Sequence, residues 1–292
     1  MAHAIRIGCS GWVYKTWAQS FYPPRLPGPR WLAHYASVFD TVELNSTFYR
    51  LARPGAAARW VAQTPPGFVF AAKASRYLTH LKRLTDLDRG VERYYASIAP
   101  LVESGKLGPV IWQLPESFHR DDDRLAAALE RVSRLPPGRH GFEFRHPSWF
   151  VPEVEALLRA HGAALVIGDR PERPFQTDWI TTDWTLVRFH HGHRGRRGNY
   201  SEAELRAWAS RIAEWSRHVD VYAYFNNDWE VFAPRNALRL RALLGASDES
   251  SGRRTGTDAP DRSGPGVPSA ASPGAAIPAV PPYVATGPAT RR

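Results

Sequence analysis

The chain has few of the residues that cross-link a protein or anchor it in a membrane. It contains one cysteine, Cys9, in 292 residues, which excludes an intramolecular disulfide framework. No stretch approaches the roughly 20 consecutive apolar residues of a membrane-spanning helix. The first residues enter a predicted strand without a basic, then apolar, leader. We therefore expect a cytoplasmic protein with no membrane association.

Lysine is also scarce, although the formal net charge is +10. The positive charge comes mostly from arginine, and it favours anionic partners without identifying one. No glycine-rich dinucleotide fingerprint follows the first predicted strand, which argues against an open nucleotide-binding sheet. The four lysines are Lys15, Lys73, Lys82 and Lys106.

The composition changes near residue 246. From Ala246 to Arg292 the chain consists mostly of Ala, Pro, Gly, Ser, Asp and Arg, with one aromatic residue, Tyr283. Such a segment has too little apolar surface to offset the entropy of ordering. We predict a disordered tail at 246–292 that follows a single domain at 1–245.

The domain alternates short apolar runs with helical patterns. Several runs lack polar alternation, which is typical of parallel strands buried on both faces. Eight such strands in about 245 residues predict an α/β fold, the (β/α)8 or TIM barrel. The predicted strands are Ile5–Cys9, Thr41–Asn45, Val69–Lys73, Val110–Leu114, Gly141–Arg145, Ala164–Gly168, Thr185–His190 and Val221–Asn226.

Helices are predicted after most of these strands. Ser201 and Glu204 have the spacing of a capping box at the start of one of them. The link between strands six and seven is the weakest, because Pro171 and Pro174 interrupt it. The predicted helices are Arg30–Phe39, Gly55–Gln63, Thr85–Ser104, Asp121–Arg134, Pro152–His161, Ser201–Arg217 and Pro234–Leu244.

Polar residues gather where the predicted strands end, and barrels of this kind carry their active sites there. A buried glutamate is costly unless it is paired, so Lys73 and Arg145 are the expected partners of Glu43 and Glu143. We predict Glu143, Lys73 and Glu43 as catalytic residues. The predicted substrate-binding residues are Asn45, Tyr49, Arg76, Tyr77, Gln113, Arg145, His146, Trp149, His190, Asn226, Asn227 and Asp228.

Three interpretations of the carboxylates remain open. They form a structural salt-bridge layer, they act as metal-free acid and base with Lys73, or they bind a divalent metal ion. The candidate metal ligands are Glu143, Asp169 and His190, and no cofactor is otherwise indicated.

Two further features bear on the ligand. The loop at Arg194–Arg197 combines glycines with arginines, which suits a phosphate group but also a mobile, solvated loop. Aromatic residues near the strand ends suit sugar rings or nucleobases, although half of them are expected to pack the loops. These aromatics are Trp12, Trp17, Tyr49, Tyr77, Trp149 and Trp229.

Seven segments of the chain match the motifs of a known family. They are Ile5–Trp12, Phe21–Pro24, Asp40–Tyr49, Lys73–His80, Gln113–Pro115, Phe142–Trp149 and Tyr224–Asp228. In these segments the chain resembles the YecE-like family, also called domain of unknown function seventy-two. The chain departs from the pattern at Val231-Phe232, where a glycine and a small or polar residue are expected.

The resemblance implies a TIM barrel but no established reaction. Some members are labelled as related to sugar isomerases, which is an analogy at the level of the fold. Our leading hypothesis is an enzyme that acts on a small polar or anionic substrate, such as a sugar or sugar phosphate. One alternative is a metal-dependent phosphoesterase acting on nucleic acid, and another is a non-enzymatic barrel that binds a metabolite or partner. The sequence leaves the oligomeric state open.

Overall fold

Eight parallel strands form the centre of the molecule. The structure, a computed structural model, describes residues 3–170, 175–193 and 196–252. The strands follow the order β1-β8-β7-β6-β5-β4-β3-β2, the arrangement of a (β/α)8 barrel, and all pairs are parallel. The strands are β1 Ile5–Cys9, β2 Thr41–Leu44, β3 Val69–Lys73, β4 Leu107–Gln113, β5 His140–Glu143, β6 Ala164–Asp169, β7 Trp184–Phe189 and β8 Asp220–Phe225. The predicted fold and all eight predicted strands are confirmed.

Helices cover the outside of the barrel at the predicted places. The helix after β7 begins at the predicted capping box, in which Ser201 and Glu204 exchange hydrogen bonds. Between β6 and β7, described residues 175–183 contain no helix, in line with the predicted interruption. The helices are α1 Trp31–Val38, α2 Ser46–Tyr49, α3 Ala56–Ala62, α4 Leu87–Glu103, α5 Asp122–Val132, α6 Pro152–Ala160, α7 Glu202–Trp215 and α8 Phe232–Gly252.

The last helix is longer than the sequence predicts. Helix α8 continues to Gly252, so residues 246–252, which we assigned to the tail, are helical. The rest of the predicted tail lies outside the described residues. Within the described ranges, no helix combines the length and apolar character needed to cross a membrane.

The first and second strands meet at a tightly packed seam. The Tyr35 hydroxyl accepts a hydrogen bond from the Cys9 backbone N–H at 2.8 Å and donates one to the Thr41 carbonyl at 3.0 Å, which links β1 to β2. A side chain at Gly8 would place its Cβ 2.3 Å from the Thr41 carbonyl oxygen. Glycine at position 8 therefore permits the close approach of the two backbones.

Replacing Gly8 with alanine should destabilise the barrel by roughly 1–3 kcal/mol, because the new methyl group collides with backbone rather than with an adjustable side chain. Urea unfolding measures the change. Gly28→Ala is the matched control, since nothing lies within 4 Å of its added Cβ. Equal stability of the two variants would contradict the proposed role of Gly8 at the seam.

The barrel interior is apolar in its lower part. An inner cluster contains Trp184, Leu186, Tyr222 and Tyr224, separate from the larger core that lies between strands and helices. The side chains that follow on the same faces of the strands are polar, because alternate residues of a strand share a face. The lower part of the barrel interior is thus filled with apolar side chains, and the interior becomes polar towards the carboxyl ends of the strands.

Candidate functional site

A buried layer of charged and amide side chains lies above the apolar interior. Arg188 of β7 makes two hydrogen bonds to Glu43 of β2, Nε to Oε2 and Nη2 to Oε1, each at 2.7 Å. Its third nitrogen, Nη1, donates to Glu143 Oε2 of β5. Gln113 of β4 donates from Nε2 to both Glu143 oxygens at 2.9 Å. One guanidinium therefore joins two carboxylates across the barrel.

Glu143 is an ionised and fully engaged carboxylate. Besides Arg188 and Gln113, it accepts a hydrogen bond from Arg145 Nε at 3.0 Å. Complete burial opposes its ionisation, but Arg188 and Arg145 outweigh burial and hold the pKa of Glu143 well below its usual range. A carboxylate with a low pKa and occupied oxygens is a poor proton acceptor. The geometry favours a positioning role for Glu143 over the role of general base.

Lys73 lies at the end of β3 and is only 6 % exposed. Its Nζ lies 3.9 Å from the ring centroid of Phe48, and no hydrogen bond or ion pair joins Nζ to another described residue. Burial and then Arg188 lower the pKa of Lys73 to about 7, against the opposing effect of Glu143 and Glu43. We expected Lys73 to pair with the glutamates, but Arg188 takes that position.

A cavity of about 570 Å³ opens above this layer at the carboxyl ends of the strands. Among the described residues, its polar lining is mostly cationic or imidazole, with one carboxylate, Glu116. Four predicted substrate-binding residues, Arg145, His146, His190 and Asn226, contribute to it. The described residues that line it are Glu116, Arg145, His146, Pro147, Arg170, Phe175, His190, His191 and Asn226.

His190 connects the cavity with the charged layer. Its Nδ1 lies 3.1 Å from both Asn226 Nδ2 and Arg170 Nη2, so Nδ1 is the acceptor nitrogen. Its Nε2 lies 3.8 Å from Glu143 Oε1. Burial, followed by Arg188, lowers the pKa of His190 well below its usual value. The ring is therefore neutral, and its contact with Glu143 is not an ion pair.

Three buried polar atoms near the ends of β1, β2 and β7 lack a hydrogen-bond partner among the described residues. They are Ser10 Oγ, Asn45 Oδ1 and His190 Nε2. An unsatisfied buried polar atom costs about 1–3 kcal/mol. Of these three residues, His190 lines the cavity. Asn45 was predicted from the sequence to bind substrate, and Ser10 was not.

Other predicted site residues support the loops instead of lining the cavity. Asn227 donates from Nδ2 to the Gly198 carbonyl at 3.0 Å, and Asp228 accepts from Trp17 Nε1 at 2.7 Å. Trp149 is fully buried and donates to the Phe118 carbonyl at 2.7 Å. Direct contact of Trp149 with substrate, as we predicted, does not agree with this position, because its ring belongs to the core.

The remaining predicted residues lie on the outer rim. Tyr49 is 70 % exposed, Tyr77 is 47 % exposed, and Arg76 is also exposed. Trp229 is likewise exposed, whereas Trp17 is buried like Trp149. Trp17 and Trp149 thus pack inside the protein, whereas the exposed rings, which were expected to suit a ligand, do not line the cavity.

The candidate metal ligands do not form one site. Asp169 binds Trp208 Nε1 and His193 Nε2, each at 3.1 Å, beside a different cavity. Both oxygens of Glu143 already bind cationic or amide donors. Within the described ranges no group of three His, Cys, Asp or Glu side chains has a metal-binding arrangement. These donors do not fit a divalent ion.

The predicted phosphate loop at Arg194–Arg197 lies partly outside the described residues. In its described part, Arg197 pairs with Glu230 at 2.8 Å and lies over the Trp229 ring at 5.5 Å. Arg197 thus fixes the loop after β8. Glu230 and Val231 there have φ values of 54° and 66°, a backbone region that favours the glycine expected from the family pattern.

Arg188 and Arg170 are the cationic residues that the sequence analysis did not select. Arg188 lies inside β7 rather than at its end, so a search restricted to strand ends passes over it. Its alternation with Leu186 and His190 was the available signal, because it places a charge on the inward face. Arg170 directly follows β6 and lines the cavity.

The fold and this arrangement define a TIM-barrel protein with a cation-rich, small-molecule-sized cavity at the carboxyl ends of its strands. The sequence model of the family described as "Protein of unknown function DUF72" matches residues 6–262. The chain belongs to this DUF72 family, as its motifs predicted.

Relatives of the chain agree with this membership. The UPF0759 protein YunF of Bacillus subtilis is 29% identical over 271 residues, 82% of this chain and 94% of that protein. The UPF0759 protein YecE of Escherichia coli is 31% identical over 250 residues, 76% and 86% of the respective chains. The crystal structure of a DUF72 family protein from Thermotoga maritima has a TM-score of 0.74 and 31% identity, and the match covers 83% of this chain and all of that one.

Proposed function

We propose that the protein is an enzyme that acts on a small anionic substrate, a sugar phosphate by class, through metal-free acid–base chemistry. The observation that carries this proposal is the cavity of about 570 Å³, lined by Arg145, Arg170 and three histidines. Its volume falls within the roughly 300–1,000 Å³ of small-molecule sites. The strand ends on which it lies are the usual position of active sites in this fold.

The cationic groups of the cavity are held by neighbouring side chains before a ligand binds. Glu143 accepts from Arg145 Nε, and Arg170 Nη2 lies 3.1 Å from His190 Nδ1. Guanidinium groups suit phosphate because their planar donors form paired, charge-assisted hydrogen bonds. The entropic cost of ordering these long side chains is incurred when the protein folds, so it does not reduce the free energy of ligand binding.

The acid–base role falls to Lys73. With a pKa of about 7, roughly half of its side chains carry a neutral amine at physiological pH. A general base with a pKa near the working pH is the most effective one. Glu43 and Glu143 instead fix Arg188 in the layer.

Sugar phosphates should stabilise the protein against heat more than the same sugars without phosphate. We expect the difference because only the phosphate engages Arg145 and Arg170. Arg170→Gln should reduce the phosphate-dependent rise in Tm by at least half in a thermal-shift assay. The matched control is Arg159→Gln, since Arg159 pairs with Glu155 on the exposed face of α6. Equal stabilisation by sugar and sugar phosphate would overturn the anionic substrate.

The two alternatives give different results in solution. For a nucleic-acid phosphoesterase, oligonucleotides should bind with an affinity that falls steeply as salt rises. The exposed rings of Tyr49, Tyr77 and Trp229 would then be the stacking surfaces. For a barrel that only binds a metabolite or partner, sugar phosphates should bind and be recovered unchanged after prolonged incubation.

A further inference from the structure

Lys73 differs from the other three lysines of the chain. Lys106 donates to Val61 O, Thr64 O and Thr64 Oγ1 at 2.7–2.9 Å. Lys82 pairs with Asp86 at 3.0 Å, and Lys15 is exposed. Of the four, only Lys73 is buried, and its ammonium group contacts the Phe48 ring with no hydrogen bond or ion pair to another described residue. A catalytic amine differs from a structural one in this respect, because a paired ammonium holds its proton.

The backbone at Lys73 is firmly held. Its carbonyl oxygen accepts hydrogen bonds from Thr47 Oγ1 at 2.8 Å and from the Tyr94 hydroxyl at 3.1 Å. Phe48, which follows Thr47 in α2, lies under the ammonium group. Helices α2 and α4 thus fix the backbone of Lys73, and the Phe48 ring restricts the position of its ammonium group. A reacting group needs such fixed positioning.

The charges around Lys73 favour a neutral amine. Glu43 and Glu143, the two carboxylates that act on it, are already bound to Arg188. Arg145 adds a further positive charge from the cavity side. A third cation in this layer, beside Arg188 and Arg145, has no free counterion, whereas an uncharged amine requires none.

We propose that Lys73 is a nucleophile that forms a Schiff base with a carbonyl group of the substrate. This inference rests on the proposed function for the anionic part of the ligand, and it replaces the general-base role of Lys73 with a covalent one. It narrows the substrate to phosphorylated aldehydes and ketones, including open-chain sugar phosphates. In this proposal the phosphate binds among Arg145, Arg170 and the histidines that line the cavity, and the carbonyl carbon reaches Lys73, which is outside that lining but close enough to Arg145 for the charge of Arg145 to act on it. His190, whose Nε2 has no hydrogen-bond partner among the described residues, lines the cavity and is available for a substrate hydroxyl group.

The step balances without a cofactor. The neutral amine of Lys73 adds to the carbonyl carbon, which forms an N–C bond and converts the C=O double bond into a C–O single bond. One proton moves from nitrogen to that oxygen and a second comes from solvent, so the oxygen leaves as water. The nitrogen keeps one hydrogen in a cationic iminium. This cation withdraws electrons from the adjacent carbon and favours loss of a proton or cleavage of a C–C bond there.

Borohydride trapping tests the Schiff base directly. The full-length protein is incubated at pH 7 with dihydroxyacetone phosphate, reduced with sodium borohydride and mapped by peptide mass spectrometry. We expect modification at Lys73 at least 100-fold above that at Lys15, Lys82 or Lys106. An amine with a pKa of about 7 is about half neutral at this pH, whereas an ordinary lysine is neutral in only about one molecule in 3,000.

Two variants control for non-specific labelling. Lys73→Met should abolish the selective adduct, and Lys82→Met should retain it, with both variants folded by circular dichroism. If Lys73 is labelled no faster than the other three lysines, the nucleophilic role is wrong. The same conclusion follows if the adduct persists in Lys73→Met.

The test also separates this inference from the proposed function. Stabilisation by sugar phosphates without labelling at Lys73 would overturn the Schiff base and leave the anionic substrate intact. Selective labelling of Lys73 by uncharged glycolaldehyde, with no preference for phosphorylated carbonyl compounds, would support the nucleophile and overturn the anionic substrate.

Discussion

Replacing Arg188 with methionine should destabilise the folded protein by roughly 3–5 kcal/mol. Arg188 is 1 % exposed and is the cation that binds both Glu43 and Glu143, which are fully buried. Methionine has a similar length but no charge, so two carboxylates would remain in the barrel with one guanidinium, Arg145, bound to only one of them. Urea unfolding at pH 7, with the midpoint and slope both fitted, measures the loss.

Arg159→Met is the matched control for this substitution. Its ion pair with Glu155 spans one turn of α6 and its side chain is 53% exposed, so its removal should cost less than about 1 kcal/mol. Adding Glu43→Gln to Arg188→Met should recover part of the lost stability, because it removes the carboxylate left without a partner. An Arg188→Met protein that unfolds at the wild-type urea concentration would exclude the layer as a source of stability.

The same layer explains why Lys73 has no counterion. Glu43 and Glu143 carry two negative charges, and Arg188 and Arg145 carry two positive charges, so the four side chains are neutral together. Burial makes any further charge expensive in this environment. The carboxylates that seemed from the sequence to be the reactive groups are thus bound to Arg188, and in our proposal the reacting group is Lys73 beside them.

The fold could be predicted from the sequence because each element has a local signal. Buried parallel strands are continuous apolar runs, as in Ala164–Gly168, and Ser201 with Glu204 marks the start of α7. The end of α8 could not be predicted in this way, because residues 246–252 are too polar to resemble a packed helix. Helix continuation depends on the preceding turns, and composition alone does not register them.

The candidate site could be predicted only in part. Strand alternation, together with the expectation that a buried glutamate pairs with a cation, correctly indicated that Glu143 and Arg145 contact each other. Alternation cannot tell a residue that lines the cavity from one that supports it, and Trp149 is an example of the second kind. The sequence likewise does not identify Arg188 as the main partner of the two glutamates, because that pairing depends on the three-dimensional distances between β2, β5 and β7.

Lys73→Met should raise the free energy of unfolding below pH 7. The stability difference between this variant and the wild type should become smaller as the pH rises. Burial and Arg188 lower the pKa of Lys73 to about 7 in the folded protein, against about 10.4 for an unfolded lysine. Between these values the unfolded chain binds more protons, so wild-type stability should increase with pH. Below pH 7 the folded protein carries the full free-energy cost of a charged, buried Lys73, on the order of 3–5 kcal/mol. Methionine removes this cost.

Unfolding of wild type and Lys73→Met at pH 6 and pH 9 measures this difference. The advantage of the variant should fall by about 2–3 kcal/mol between the two values. Glu43, Glu143, Arg145, Arg188 and His80 also act on or face Lys73, but both proteins contain them, so their contributions largely cancel. Lys82→Met should show no comparable trend, since Lys82 lies at the surface beside Asp86. A constant difference between wild type and Lys73→Met would mean that Lys73 is charged in the fold throughout, which would remove the physical basis for its role as base and nucleophile.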